Sequence, residues 1–349
     1  MQQNIAVGAG ARPQLSPQLR LAIGVILCLV IAGLAYGAAD FVPLVGAPLF
    51  AIAIGVLVTN TLRGPLQLTR WRVSDVGKQC LKLGIILLGA SLNIGDIART
   101  GLDSIPLLFV TIVVGLGCAL GLGRAMGVDW RMRCLIGMGT TICGGSAIAA
   151  LAPVIRAKAE EIAYAITVIF FFNMVAVFTF PVIGHMLGLS DMGFGLWDGT
   201  AVNDTSAVVA AGFGFSQAAG ITATIVKLTR TTLIIPLVIG FGLAMPWLDR
   251  SADRSEASLA QRVYNAIPTF IAFFIVASIL NSFGLFGPYA PDVQMAGRVV
   301  MVVALAAVGL QGHWRAFVGA GTKPLILGFC TWMAVAIASL LIQTWTHAL

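Results

Sequence analysis

The chain has 349 residues, 58% hydrophobic and only 10% charged, with a net charge of +7 and a mean hydropathy of +0.96. Soluble domains carry roughly 25% charged residues, so this balance excludes a water-soluble enzyme or nucleic-acid binder and marks an integral membrane protein.

Crossing about 30 Å of hydrocarbon takes about 20 apolar residues. Such runs recur at 21–39, 47–62, 79–95, 104–123, 134–155, 162–187, 198–214, 222–247, 263–283, 293–311 and 324–345. They predict an all-α polytopic protein with about eleven transmembrane helices; the fifth and seventh would run parallel if both crossed fully, where inverted repeats call for antiparallel half-helices, so a re-entrant course for one of them is the alternative. Residues 1–20 form a cytoplasmic amino-terminal segment, and 21–349 form one transmembrane domain. The first run is too long for a signal-peptide core and is followed at once by another, so it is expected to stay.

Basic residues alternate along the chain. Arg12 and Arg20 precede the first run, and Arg63, Arg70, Arg72 and Lys78 follow the second. Arg124, Arg131 and Arg133 follow the fourth, Arg250, Arg254 and Arg262 the eighth, and Arg315 and Lys323 the tenth. The connections at 40–46, 215–221 and 284–292 have no Lys or Arg. Cytoplasmic loops are the ones enriched in these residues, which puts the amino terminus inside. Arg99, and Arg156 with Lys158, fall on the wrong side of this pattern. The six cysteines lie in or beside the runs without a CxxC pair, and are expected to pack rather than to form disulfides or hold a metal. Self-similarity of 87–108 with 307–327, and of 80–89 with 225–234, suggests inverted repeats.

Three segments carry polar chemistry at depth. In the fifth run, TTICGGSAIAAL (140–151), glycines disfavour a continuous helix, while Thr140, Thr141 and Ser146 offer cap hydroxyls. A half-helix starting near Ser146 would aim free amides at an anion, with Gly144 and Gly145 letting it approach. The competing reading is that the glycines only allow close helix packing. In the seventh run, TAVNDTSAVVAAG (200–212), Asn203, Asp204, Thr205 and Ser206 are four cap-forming residues in succession. Asp204 reads either as a cap or as a carrier of a proton or cation.

In the eighth run Lys227 and Arg230 are three apart and share a helix face. Asp204 could neutralise one, leaving the other for an anion, unless both snorkel to the outer interface. Lys82, four residues into the third run, is expected to snorkel. Asn60 and Arg63, at the end of the second, are anchors or part of a gate. The three histidines are too scattered for a metal site, and no nucleotide loop or nucleophile–base pair appears. An enzyme, a cofactor and a nucleic-acid partner are therefore not expected.

KLGIILLGASL (82–92), TICGGSAIAALAPVI (141–155), FGLWDGTAVNDTSAVVAAG (194–212) and VKLTRTTLIIP (226–236) occur in this order. Together they make the chain resemble the YeiH-type sulfate exporter family of bacterial inner-membrane proteins. That family is similar to the bile-acid symporter and cation/proton antiporter superfamily. The resemblance implies inverted repeats, discontinuous helices and a core-plus-scaffold arrangement. The family pattern has His before the acid where this chain has Asn203, which removes a titratable group from the motif.

Residues and resemblance together lead to an expectation of a secondary transporter exporting a sulfate- or sulfite-like oxyanion. Thr141, Gly144, Gly145, Ser146, Asn203, Thr205, Ser206, Lys227 and Arg230 would bind it, and Asp204 would couple it to a proton or sodium ion. A second copy of the chain is admitted as a partner. A cation/proton antiporter with Asp204 as carrier and a passive anion channel are the alternatives.

Overall fold

The computed structural model describes residues 16–41, 46–61, 72–248, 269–312 and 322–346, and these are helical almost throughout. The helices are α1 (Pro17–Phe41), α2 (Gly46–Thr61), α3 (Val73–Gly89), α4 (Ile94–Ala125), α5 (Trp130–Thr141), α6 (Gly145–Leu151) and α7 (Ala159–Met186). After these come α8 (Asp191–Ala201), α9 (Thr205–Phe215), α10 (Gln217–Thr232), α11 (Ile234–Leu248), α12 (Thr269–Ser282), α13 (Ala290–Gly309) and α14 (Thr322–Thr346). Six helices among the described residues are long and apolar enough to cross a membrane. The protein is an all-α, multi-pass membrane protein. Arg12, Arg63, Arg70, Arg250, Arg254, Arg262, Arg315, His313 and His347 lie outside the described residues, as does the 313–321 part of one suggested repeat.

Helix starts obey the cap chemistry of the sequence. Asn93 accepts from the Gly95 amide at 2.7 Å to open α4, Asp129 from Arg131 at 2.9 Å to open α5, and Ser216 from Ala219 at 3.0 Å to open α10. Each satisfies an amide that the helix itself cannot.

Packing divides the chain into two bundles. Helices α1, α2, α3, α12 and α13 pack on one another, whereas α4, α5, α7, α8, α9, α10 and α14 form the other group. Between the bundles the main contact is α9 against α2. Inside the first bundle the backbones touch. A Cβ on Gly55 of α2 would lie 2.8 Å from both the Ala306 carbonyl oxygen of α13 and the nitrogen of Leu310, the residue that caps it. Lipid tails are as apolar as leucine, so such van der Waals approach is what drives helix association in a membrane. Gly55→Ala is therefore expected to destabilise the protein by about 1–3 kcal/mol through overpacking. Gly33→Ala on α1, where a Cβ meets nothing within 4 Å, should leave the unfolding temperature of the detergent-solubilised protein unchanged.

In the second bundle, α8 is held to α14. Trp197 Nε1 donates to the Ala336 carbonyl at 3.1 Å, and the Thr200 and Ser339 hydroxyls are 2.6 Å apart. Trp197 also stacks on Phe180 of α7 with centroids 4.0 Å apart.

The expectation that 134–155 and 198–214 cross the membrane is corrected by the path of the chain. Arg131, at the start of α5, donates from Nε to the Ile155 carbonyl beyond the end of α6, at 3.1 Å. A straight helix would hold residues this far apart in sequence at roughly 36 Å. Segment 130–156 is thus a hairpin that opens at the end of α7 where α7 begins. Segment 191–216 is a second hairpin. Phe194 near the start of α8 stacks on Phe215 at the end of α9 at 4.0 Å, and Ser216 Oγ donates to Asp191 Oδ1 at 2.6 Å. His185, near the other end of α7, stacks on the same Phe215 at 4.1 Å. The two hairpins enter from opposite ends of α7, and each is built of half-length arms. The eleven residues of α8 span about 16 Å, half of the hydrocarbon thickness.

Candidate functional site

The breaks in the two hairpins fall on the residues that carry polar chemistry. α5 ends at Thr141, and Gly144 then takes φ +64°, which turns the chain into α6. Gly144 also lies against the other tip, a Cβ built on it falling in ordinary contact at 3.7 Å from the Asn203 carbonyl oxygen. α8 ends at Ala201, Val202 is extended, and Asp204 caps α9. The two tips therefore meet, each at the far end of the arms that carry it.

Lys227 and Arg230 of α10 lie at this meeting point and are both completely buried, so snorkelling is ruled out. α10 reaches between the hairpin arms because Gly195 and Gly199 of α8 sit against Thr222 and Val226, and Gly212 of α9 against Gly220. Lys227 Nζ donates to the carbonyls of Ile142, at 2.8 Å, and Val202, at 3.1 Å, one from each tip. Arg230 donates from Nε to Thr141 and from Nη2 to Thr140, both at 2.5 Å, and from Nη1 to Val202 at 3.2 Å and Gly199 at 3.4 Å.

These acceptors are the last carbonyls of α5 and α8, which a helix leaves unpaired and which carry the negative end of its dipole. The cations cap two helix carboxyl ends at once and tie one tip to the other. The expected direct pairing with Asp204 is corrected: no ion pair involving either cation occurs among the described residues, and Asp204 acts on Lys227 only at longer range. Carbonyl dipoles take the place of the expected carboxylate.

Asp204 instead accepts from the Ser206 amide at 2.9 Å and from the Ser206 hydroxyl, which is the capping alternative. It is half-buried and also lines the cleft between α7, α9, α2 and α13, with Asn173, Ile52 and Val308. Thr205 is half-buried beside it, and Ser206 is buried. The expected cap hydroxyls of the first tip do not cap. Thr141 Oγ1 donates back to the Gly137 carbonyl at 2.8 Å, Thr140 Oγ1 has no partner, and α6 starts without any side-chain cap. Ser146 is exposed, and around Gly145 a Cβ would meet nothing within 4 Å. So the α6 amino end is open, whereas that of α9 already holds a carboxylate. Asn203 is fully buried, and neither of its side-chain polar atoms has a partner.

Two residues of the centre are not singled out by the sequence as site residues. Asn173, in the middle of α7, accepts with Oδ1 from the amides of Asn203, at 2.9 Å, and Asp204, at 3.1 Å, and so fixes the second tip. A lone amide in the run FFFNMV is the available signal. Asp198 begins the seventh apolar run and so reads as a span end; it is fully buried on α8, beside Lys227 and the Gly212 backbone. The centre thus combines two clamped cations, two carboxylates of different exposure, unfilled donors at Thr140 and Asn203, and one open helix amino end.

Residues 23–328 match the model of a family described as conserved hypothetical protein 698. A UPF0324 membrane protein of Streptococcus pyogenes serotype M18 is 37% identical over 337 residues, covering 94% of this chain and 98% of that protein. UPF0324 membrane proteins of Streptococcus pneumoniae R6 and of Streptococcus agalactiae serotype V are each 38% identical over 329 residues, covering 92% of this chain and 96% of theirs.

Proposed function

The chain belongs to the family described as conserved hypothetical protein 698, and on that premise we propose that it is a secondary transporter. Its substrate is a small oxyanion of the sulfate or sulfite kind, exported across the bacterial cytoplasmic membrane by alternating access. The observation that carries this reading is the meeting of two opposed half-length hairpins at a polar centre. Each hairpin is a barrier only half a membrane thick, so a modest displacement of one bundle against the other opens the centre to one side at a time.

An anion is favoured over a cation by the balance of groups. Neither Lys227 nor Arg230 has an ion-pair partner among the described residues, the start of α6 lacks a cap, and the Thr140 hydroxyl and the Asn203 amide, which can donate, are without partners; against these stand one acceptor, Asn203 Oδ1, and one buried carboxylate, Asp198. Gly144, Gly145 and Ser146 would hold the oxyanion by backbone and hydroxyl donors. Lys227 and Arg230 set the positive potential from behind the tips. Asp204, at the seam between bundles, is the carrier of the coupling proton or sodium ion.

The hairpins also improve the fit to the positive-inside rule. With 130–156 returning to the side it left, Arg156 and Lys158 join Arg124, Arg131 and Arg133 on one face. This supports an internal amino terminus and leaves Arg99 as the exception.

Reconstituted full-length protein with radiolabelled sulfate, sulfite and sodium, with and without a pH gradient, tests the proposal. Saturable uphill flux of sulfate or sulfite is expected. Sodium flux with both oxyanions inert would replace it by the cation/proton antiporter, which the position of Asp204 favours. Flux that never saturates and cannot be driven uphill would replace it by a channel.

A further inference from the structure

Arg298 lies near the middle of α13, in the first bundle and away from the hairpin tips. Its Nε atom is buried without a hydrogen-bond partner, and so is Nε2 of Gln217 at the start of α10. Both side chains line one cavity of about 190 Å³ between the two bundles, together with Tyr36 of α1. Tyr36 and Arg298 are close enough to interact electrostatically. The other walls among the described residues are apolar, with Val209 and Phe213 of α9 and Leu305 of α13, and none of the described residues lining the space is a carboxylate.

The polar groups here are a permanent cation, an amide with a free N–H and a phenol that can donate. Buried donors left without acceptors are unfavourable, so the site calls for a ligand that brings acceptors and negative charge. Inorganic sulfate would also press its charge against Val209, Phe213 and Leu305, which offer it nothing. Small-molecule sites of this make-up, mostly apolar with a few convergent polar groups, suit ligands that are themselves divided.

We propose that this cavity binds a small organic anion, with a sulfonate or carboxylate head on Arg298 and Gln217 and an apolar body of a few carbons against α9 and Leu305. The site is separate from the hairpin centre and does not depend on the oxyanion reading of it. Because Val209 and Phe213 belong to α9, the element that contacts the first bundle, an occupant fills the seam along which the bundles would move.

The test is titration calorimetry of butanesulfonate and butyrate into the full-length protein in nanodiscs of zwitterionic lipid. Saturable binding is expected, with butanol and butylammonium silent. Arg298→Gln should weaken it by at least about tenfold, as loss of a charge-assisted contact does, and Gln217→Leu by less. Unchanged unfolding temperatures would show that both variants are folded. Absence of binding to the wild-type protein, equal binding by both variants, or equal binding of butanol would overturn the proposal. Binding of anionic lipid in place of butanesulfonate would overturn it too, in favour of a headgroup site. Sulfate flux on the same preparations separates the two proposals: protein that moves no oxyanion but binds butanesulfonate through Arg298 refutes only the first.

Discussion

Replacing Arg230 with alanine is expected to cost about 2–5 kcal/mol, since it strips the side-chain donor from several buried carbonyls at once, and to leave little monodisperse protein after solubilisation. The loss arises from its partners. Without the guanidinium the Thr140 and Thr141 carbonyls have no side-chain donor, and Val202 keeps only Lys227. A buried acceptor left unsatisfied costs about 1–3 kcal/mol, and here the two carbonyls belong to one helix end. Lysine at 230 keeps the charge but not the fork that reaches both tips, so Arg230→Lys should fall between the wild-type protein and Arg230→Ala. Thermal unfolding with and without sulfate checks this. A clamp loses stability in both conditions. If Arg230→Ala melts like the wild-type protein and loses only the sulfate effect, the guanidinium is a ligand and the clamp assignment fails.

The helix breaks are legible in the sequence because they are written in side chains. Consecutive cap formers at 203–206 and paired glycines at 144–145 have few uses inside an apolar run. The direction of the chain beyond each break is not legible. Composition is the same whether the chain continues across the membrane or turns back, and the direction is set by remote contacts such as Arg131 with Ile155 and Phe194 with Phe215. Turning back also removes the difficulty that two spanning segments this close in sequence would run parallel.

Lys227 and Arg230 are legible as intramembrane cations, since a charge at depth is costly and rare. Their partners are not, because backbone carbonyls leave no trace in a sequence, and the nearest carboxylate then stands out as the obvious counter-ion. Asn173 and Arg298 show the complementary gap. Asn173 stands in an apolar run and takes its meaning from the two remote amides it accepts from, whereas Arg298 is marked by the unpartnered groups around it.

Asp204→Asn is expected to abolish uphill transport while leaving the fold nearly intact. Asparagine and aspartate are almost equivalent as amino-terminal caps, so Oδ1 of the new amide can still accept from the Ser206 amide, and the Asn173 contacts are made to backbone. The unfolding temperature should shift by less than about 1 kcal/mol would produce. A carrier role is different, because an amide can neither exchange a proton nor neutralise a cation. In proteoliposomes the variant should therefore show substrate counterflow without accumulation against a gradient of pH or sodium. Asp204 lies at the cleft shared by both bundles, where the proposed movement of α9 against α2 would change its exposure. Asp198, enclosed on α8 beside Lys227, has no such route, and Asp198→Asn should disturb the clamp more than the coupling. Uphill flux by Asp204→Asn at the wild-type rate would leave Asp204 as a cap alone and overturn its assignment as the carrier.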